Sequence, residues 1–282
     1  STLIANNNGF VAAIPSFEQI YALKNEAVSS QENQNPKIIQ RFNKEIFISQ
    51  LDFSYGEHQT LKNISISIQK GKMTSIVGPS GSGKSTLIDI LMGYYKIKVG
   101  SISIDETPFE KINLNSWRDL IGYIPQQPFL FNASIRDNIL WANPKIKNED
   151  IISACKLAHV HDFVMDMKDG YETIVGERGM KLSGGQAQRI CLARAIASQP
   201  EILILDEATS SLDSNSESLI QESIESLKGD ITIISVAHRL STIVNSNHIY
   251  YLEEGCLIED GTFKDLMIKK GKFYTAAKLQ GM

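Results

Sequence analysis

Apolar and polar residues alternate in parts of this chain in the way that β-strands require. In residues 64–69, every second residue is isoleucine and the others are serine or glutamine. This period of two predicts a strand with one buried face, as in an antiparallel sheet. A mixed pattern over residues 46–55 predicts another strand. The pair Glu254-Gly255, between two apolar runs, predicts a hairpin turn.

Short, mostly apolar runs form a second pattern, at residues 73–77, 202–205, 231–236 and 248–252. Such runs, separated by stretches of helical periodicity, predict buried strands of a largely parallel sheet. A mostly helical region lies in the middle of the chain, and we expect a helical subdomain at about residues 130–200. The predicted fold class is therefore α/β, with a mixed or parallel sheet, an N-terminal antiparallel β portion and a helical subdomain.

The first thirty residues have a different character. Their apolar residues recur at roughly helical spacing around Pro15, which predicts an amphipathic helix that begins or bends there. Residues 31–37 are polar and aperiodic, and we interpret them as a linker. Because the chain begins at Ser1 rather than methionine, we expect it to be part of a longer protein.

Composition narrows the classes of protein that are possible. The 282 residues are 42% hydrophobic and 21% charged, which excludes a disordered or collagen-like chain. No run of about 18 apolar residues occurs, so we expect no membrane-spanning helix in this chain. The net charge of −4 disfavours a nucleic-acid partner. The three cysteines are far apart, so they predict neither a disulfide framework nor a zinc site.

A glycine-rich segment carries the sharpest chemical signal. It matches the phosphate-binding pattern G-x-x-x-x-G-K-[ST], known as Walker A. Glycines let backbone N–H groups point at phosphate oxygens, and a helix that begins near the lysine adds its positive end. The lysine is expected to reach the β- and γ-phosphates, and the serine after it to ligate Mg²⁺. The segment comprises Gly78, Pro79, Ser80, Gly81, Ser82, Gly83, Lys84, Ser85 and Thr86.

Two acids follow the apolar run 202–205 directly. Ligands of open α/β sheets bind beyond the carboxyl ends of the strands, and carboxylates there are costly unless they serve a cation or a reaction. Asp206 fits the Walker B role of holding Mg²⁺, and Glu207 is then free to orient and deprotonate an attacking water. The alternative is a solvated strand end, at which both acids are exposed to water and serve neither a cation nor a reaction.

A second potential anion site lies in residues 182–186, Leu-Ser-Gly-Gly-Gln. Ser183 is a good N-cap for the helical stretch that follows, and Gly184 and Gly185 leave the first backbone N–H groups open. Helix capping with glycines for close packing would explain the same residues. A single ATP has one γ-phosphate, so a second phosphate loop in one chain requires another explanation.

The order of these segments resembles the nucleotide-binding domain of ATP-binding-cassette (ABC) transporters. Residues 182–186 match the family signature letter for letter, and the resemblance covers about residues 38–282. It implies a P-loop NTPase core that binds ATP and Mg²⁺. It also implies a head-to-tail dimer, with the signature residues Ser183, Gly184, Gly185 and Gln186 of one copy completing the ATP site of the other.

The resemblance assigns further residues. Gln126 corresponds to the family glutamine that touches Mg²⁺ and the lytic water, with Gln127 as the near alternative. Asp213 falls in the loop at the dimer seam, and His238 corresponds to the switch histidine that bonds the γ-phosphate. Tyr55 resembles the aromatic residue that stacks on adenine. The catalytic set implied is Glu207, His238, Gln126 and Lys84, and the metal set is Ser85, Gln126 and Asp206.

The direction of transport is also implied. Residues 175–179, Val-Gly-Glu-Arg-Gly, resemble a segment typical of exporters, where it contacts the membrane domain. Residues 1–30 would be the cytoplasmic end of the last transmembrane-domain helix of the same polypeptide. We therefore expect a motor on the cytoplasmic face of a bacterial inner membrane that powers export or flipping. Lipid-linked oligosaccharides, lipids, peptides and drugs all remain open as cargo.

Two other functions compete with this one. A soluble ABC ATPase acting on ribosomes or DNA usually carries two cassettes or a long coiled-coil insertion, and neither is visible. A regulatory module that binds ATP without turnover would need neither Glu207 nor His238. The remaining histidines add nothing to either function, since His159 and His161 lie on a predicted helix without a ligand cluster and are interpreted as surface residues.

Overall fold

The computed structural model of the chain describes residues 37–208, 212–237 and 239–279. The predicted helix of residues 1–30, most of the predicted linker and the predicted switch residue His238 lie outside these ranges. Within them, the chain folds into two sheets and a set of helices. The strands, numbered β1 to β10 in chain order, are Glu45–Tyr55, His58–Gln69, Met73–Val77, Val99–Ile104, Thr107–Pro108, Ile121–Ile124, Ile202–Asp206, Thr232–Val236, His248–Glu253 and Cys256–Gly261.

The larger sheet has the strand order β10-β9-β3-β8-β7-β6. Its pairings are parallel, except that β9 and β10 pair antiparallel as a hairpin. Every residue of β3 and β8 is buried, because both faces of these central strands are covered. The carboxyl ends of β3, β6, β7 and β8 consequently lie at one edge of this sheet.

The smaller sheet is antiparallel, with the order β2-β1-β4-β5. In β2, Ile64, Ile66 and Ile68 are buried, whereas Ser65 and Gln69 between and after them are exposed. The period of two therefore places one face of the sheet against the core. That core also contains residues of the larger sheet and of the helix after β3, such as Ile76 and Leu87.

The helices fill the intervals between the strands. Numbered α1 to α10 in chain order, they are Lys84–Leu91, Leu114–Arg118, Ile135–Leu140, Asn148–Leu157, His161–Met165, Gly184–Ala197, Ser214–Leu227, Leu240–Val244, Phe263–Lys269 and Lys272–Leu279. Helices α3 to α6 lie between β6 and β7, and α3 and α4 both contact α6. Their common core joins the sheet through residues such as Leu203 and Ile233.

The fold class predicted from the pattern is confirmed. A largely parallel sheet carries an antiparallel β portion, and helices cover it. The predicted hairpin turn is also present, because Glu254 and Gly255 link β9 to β10 with φ angles of 50° and 78°. Over the described ranges, none of the helices combines the length and the apolar composition that crossing a bilayer would need.

All three cysteines are free thiols, as their spacing predicts. Cys155 and Cys191 are buried in the helical part of the core, and Cys256 is partly exposed at the start of β10. Burial raises the pKa of Cys155 to about 11, and burial also raises the pKa of Cys191. Both buried thiols act here as small apolar side chains.

Candidate active site

The loop between β3 and α1 lies at the carboxyl edge of the larger sheet. At Gly78, φ is 151°, and an added Cβ would lie 1.9 Å from the carbonyl oxygen of Leu252 in β9. Gly83, the residue before α1, has a φ of 97°, in the left-handed region that favours glycine. Glycine is therefore required at position 78 because another backbone approaches closely, and it is favoured at position 83 because of the backbone conformation.

Lys84 begins helix α1, and its side chain folds back over the loop. Its Nζ donates hydrogen bonds of 2.9 Å to the carbonyl oxygens of Gly78 and Pro79. Burial lowers the pKa of the Lys84 ammonium, while the carboxylates of Glu207 and Asp206 act in the opposite direction. The ammonium group is thus held beside the loop by two backbone carbonyl oxygens.

The loop fits a phosphate group. Ser82 is only 2% exposed, and its Oγ has no hydrogen-bond partner within the described part of the chain. A Cβ on Gly81 would meet open space, so a ligand can approach the backbone there. Ser85 is exposed at the start of α1, where a hydroxyl can ligate a magnesium ion, and Thr86 is mostly buried beside it. An anion at this helix start would also gain from the helix dipole.

The two predicted acids, Asp206 and Glu207, lie at the same carboxyl edge of the larger sheet as the phosphate loop. Asp206 is the last residue of β7, and Glu207 follows it with a φ of 49°. A left-handed conformation costs a non-glycine residue roughly 1–2 kcal/mol. The Glu207 N–H donates to the carbonyl oxygen of Val236 in β8, at 3.0 Å, and this bond holds the strained residue in place.

Gln126 contacts the predicted base directly. It lies just beyond β6, and its Nε2 donates a hydrogen bond of 2.5 Å to Glu207 Oε2. Strands β6 and β7 are parallel neighbours, so the residues beyond their carboxyl ends meet. The Gln127 side chain is exposed, and Gln126 is the glutamine of the pair that contacts Glu207.

These residues enclose a cleft of about 420 Å³. Its lining brings the phosphate loop, the predicted base and the predicted glutamine together. Thr60, from strand β2 of the smaller sheet, also reaches it. The lining residues are Thr60, Ser80, Gly81, Gly83, Lys84, Ser85, Thr86, Gln126 and Glu207.

Tyr55 lies at the end of β1, within an aromatic group beside this cleft. Its ring packs edge-on against Phe53 at 5.0 Å and against Tyr95 at 5.3 Å, between centroids. Its hydroxyl is 3.4 Å from Oγ1 of Thr86. The residue keeps 41% of its surface exposed.

The predicted signature residues begin helix α6. Ser183 and Gln186 form a capping box, in which Ser183 Oγ accepts from the Gln186 N–H and Gln186 Oε1 accepts from the Ser183 N–H. Ser183 and Gly184 are exposed, and Gln186 is half-buried. Among the described residues, none of this segment lines the cleft. Within a single chain, Ser183 acts as a helix N-cap, as the capping interpretation predicts.

Gly185, unlike Ser183 and Gly184, is packed against another helix. It is buried, and an added Cβ would lie 2.0 Å from Ser216 Oγ, in the first turn of α7. Asp213 is the N-cap of α7 and accepts from the Ser216 N–H at 3.0 Å. Hydrogen bonds from the backbone and side chain of Ser216 lower the pKa of the Asp213 carboxyl. The starts of α6 and α7 thus touch within one chain.

Two groups at the site, Thr60 and Tyr123, carry no functional signal in the sequence. Thr60 belongs to an antiparallel strand with no local phosphate signal. Tyr123, in β6, donates from its hydroxyl to Asp206 Oδ2 at 3.1 Å. Burial raises the pKa of Tyr123 far above its ordinary value, and the Asp206 carboxylate adds to this. A tyrosine within a strand predicts core packing, so no sequence signal marks this contact.

The two histidines interpreted as surface residues are both half-buried. His161 Nδ1 lies 2.9 Å from the hydroxyl of Tyr171. His159 Nε2 lies 3.6 Å from a carboxylate oxygen of Glu222. Glu222 is in α7, and neither histidine is among the described lining of the cleft.

Comparison with known proteins identifies the class. The family described as "ABC transporter" matches residues 61–210. A bacterial Atm1-family ABC exporter, solved with ATP bound, superposes with a TM-score of 0.83 at 35% identity, covering 88% of this chain and 44% of that one. The chain belongs to the ABC transporter family, and it carries the ATPase domain that hydrolyses ATP for transport in that family.

Individual relatives are larger proteins. One, from Staphylococcus aureus, is named "Putative multidrug export ATP-binding/permease protein"; it is 43% identical over 84% of this chain and 41% of its own length. Another, ABC transporter B family member 1 of Dictyostelium discoideum, is 41% identical over 92% of this chain and 29% of its own length. The chain thus spans less than half the length of these relatives.

Proposed function

We propose that this chain hydrolyses ATP in the cleft between the phosphate loop and Glu207, and that hydrolysis powers export across a membrane. The observation that carries the proposal is the meeting of Lys84, Gln126 and Glu207 around one cleft. Lys84 would bind the β- and γ-phosphates in place of its present loop carbonyls. Glu207, held in place by its backbone bond and by Gln126, would accept the proton of the attacking water.

A magnesium ion would be held by Ser85, Gln126 and, through water, Asp206, and when bound it would neutralise charge on the phosphates. Ser85 is exposed to the cleft, and Asp206 ends the strand beside it. Adenine would stack on Tyr55, a partly exposed aromatic residue whose hydroxyl lies next to Thr86 of the cleft lining. His238, predicted to bond the γ-phosphate, completes the proposed catalytic set.

The active assembly in this proposal is a head-to-tail dimer. The capped start of α6 is exposed at Ser183 and Gly184, and these residues do not line the chain's own cleft as the structure describes it. They are therefore free to approach the ATP of a second copy, with the N–H groups of α6 directed at its γ-phosphate. Asp213, at the neighbouring helix start, would lie at the seam between the copies.

The larger protein would be an exporter with a transmembrane domain on the same polypeptide, a proposal supported by the Staphylococcus aureus relative, which is named an export ATP-binding/permease protein. The chain would then act at the cytoplasmic face of a membrane, with residues 1–30 continuing the last transmembrane helix. The soluble alternative, acting on ribosomes or DNA, is not favoured, because the relatives are named as exporters. Nucleic acid is not a proposed partner.

Glu207→Gln tests the proposed base. The amide cannot take a proton from water but keeps the size of the side chain, so ATP should still bind while turnover falls by about 10²–10⁴-fold. Without hydrolysis, the ATP-bound dimer should accumulate and be visible by size-exclusion chromatography with light scattering. Glu149→Gln, at the exposed start of α4 and outside the described cleft lining, is the matched control. Normal turnover in Glu207→Gln would contradict the proposal.

Ser183→Arg tests the shared site separately. The long side chain would project from the exposed start of α6, where it blocks a second copy without entering the chain's own cleft. We expect binding of a fluorescent ATP analogue to the monomer to be unchanged and turnover to be lost. Turnover equal to that of the parent would show that the start of α6 takes no part in the reaction.

A further inference from the structure

Tyr123 is a half-buried tyrosine in the edge strand of the larger sheet, and it contacts Asp206, the acid proposed to hold the magnesium ion. It lies in β6, opposite Ile204 of the parallel neighbour β7. Its hydroxyl donates a hydrogen bond of 3.1 Å to Asp206 Oδ2, in a partly buried position. A phenol is protonated at neutral pH and acts there as a donor.

This contact involves one oxygen of a carboxylate that has two. A carboxylate at the end of a strand can rotate about its last side-chain bond, which is broad and roughly two-fold. A donor fixed on the neighbouring strand holds Oδ2 and so directs Oδ1 elsewhere. Groups that hold a metal ligand in this way tune metal affinity although they never touch the ion.

We propose that Tyr123 is a positioning residue, which fixes the Asp206 carboxylate so that its other oxygen faces the magnesium ion of the active site. This inference rests on the proposed role of Asp206 in holding that ion. Tyr123 itself contacts neither metal nor nucleotide in the proposal. Its effect on metal binding passes through Asp206 alone. This effect can therefore be measured separately from any contribution of Tyr123 to folding.

A second tyrosine of the same sheet provides a matched control. Tyr250, in β9, donates from its hydroxyl to the carbonyl oxygen of Ser67 at 2.9 Å and accepts from the Ser67 N–H at 3.0 Å. These bonds tie the larger sheet to the smaller one. Tyr250→Phe therefore also removes a hydrogen-bonded hydroxyl from this sheet, but no bond to Asp206.

The test measures Mn²⁺ binding to the chain in the presence of ADP, by electron paramagnetic resonance, without any turnover. Tyr123→Phe should weaken Mn²⁺ binding by up to about 10-fold, the lower end of the range for groups that orient a metal ligand, because Asp206 would hold the ion through water. Tyr250→Phe should leave it within about twofold of the parent. ADP binding without metal should be the same in all three proteins.

A double-mutant cycle with Asp206→Asn decides whether the effect passes through Asp206. In the Asp206→Asn background, Tyr123→Phe should change Mn²⁺ binding by no more than about twofold, because the partner carboxylate is already gone. An effect of the same size in both backgrounds would overturn the proposal. Mn²⁺ binding of Tyr123→Phe equal to that of the parent would also overturn it, provided that Asp206→Asn alone weakens binding.

Failure of the proposed function would look different. If Asp206→Asn binds Mn²⁺ as the parent does, Asp206 holds no metal and the function proposed for it is wrong. Incorporation of 4-fluorophenylalanine at position 123 guards against a variant that does not fold, because fluorine fills the space of the hydroxyl but donates no hydrogen bond. It should weaken Mn²⁺ binding as Tyr123→Phe does, and parent-like binding would refute the positioning role.

Discussion

Replacing Gly185 by alanine should destabilise the chain, although alanine is normally the better helix residue. Gly185 is the second residue of α6, where Gly→Ala alone would stabilise by up to about 1 kcal/mol. An added Cβ would, however, lie 2.0 Å from Ser216 Oγ and 2.5 Å from Ser216 Cβ. The start of α6 must therefore move away from α7.

The size of the effect follows from that overlap. Carbon atoms in contact prefer about 3.5–4.0 Å, so the two helix starts must separate by more than about 1 Å. Forcing an extra methyl group into a packed site typically costs about 1–3 kcal/mol, which exceeds the gain in helix propensity. We expect a net loss of about 1–2 kcal/mol in the free energy of unfolding, or roughly 2–8 °C in melting temperature.

The neighbouring glycine is the control. A Cβ on Gly184 would meet nothing within 4 Å, so Gly184→Ala should be neutral or stabilising by up to about 1 kcal/mol. Urea unfolding of both variants, followed by circular dichroism, gives the two free energies. Of the two adjacent substitutions, only Gly185→Ala should lower the free energy of unfolding.

Removing the other side of the overlap should rescue the first variant. Ser216→Gly alone weakens the first turn of α7 by about 0.5–1 kcal/mol through helix propensity. In the presence of Gly185→Ala it also relieves the clash, so the two effects should be less than additive. A Gly185→Ala variant as stable as the parent, or strict additivity with Ser216→Gly, would refute this explanation of the glycine.

Two further predictions concern the interior of the helical part. Asn138 is fully buried and bonds both backbone groups of Phe131 as well as Arg194, so Asn138→Ala should cost about 2–4 kcal/mol in urea unfolding. Asn115→Ala, at an exposed position of α2, should cost less than about 0.5 kcal/mol, and equal losses would contradict the argument. With a thiol reagent at pH 8, Cys256 should react first, because burial raises the pKa of Cys155 to about 11 and also that of Cys191. Three equally fast thiols in the native chain would show that the helical core is open.

The cleft could be predicted because its residues follow strands. Gln126 and Glu207 lie just beyond the carboxyl ends of parallel strands, and Lys84 ends the loop that follows another; such ends share one edge of the sheet. The alternation of apolar runs with helical stretches is therefore enough to bring together residues far apart in the sequence. The same pattern predicts the antiparallel portion, since burial in β2 follows the isoleucines.

Contacts that depend on packing distance could not be predicted in this way. Two consecutive glycines at a helix start predict an open backbone, which is correct for Gly184 but not for Gly185. The difference arises from Ser216, on another helix, and no periodicity reports how closely two helices approach. Tyr123 is similar, because its hydroxyl reaches Asp206 only through the spacing of two neighbouring strands. Its sequence pattern indicates only a strand residue.

The most direct test of the proposed two-chain site is the ATP hydrolysis rate of this chain over a wide range of protein concentration. If each site requires Lys84 of one copy and Ser183 of another, the rate below the dimerisation constant should rise with the square of the concentration. Glu207→Gln, assayed in parallel, gives the background. A strictly linear rate from a chain that light scattering shows to be monomeric would contradict the two-chain site.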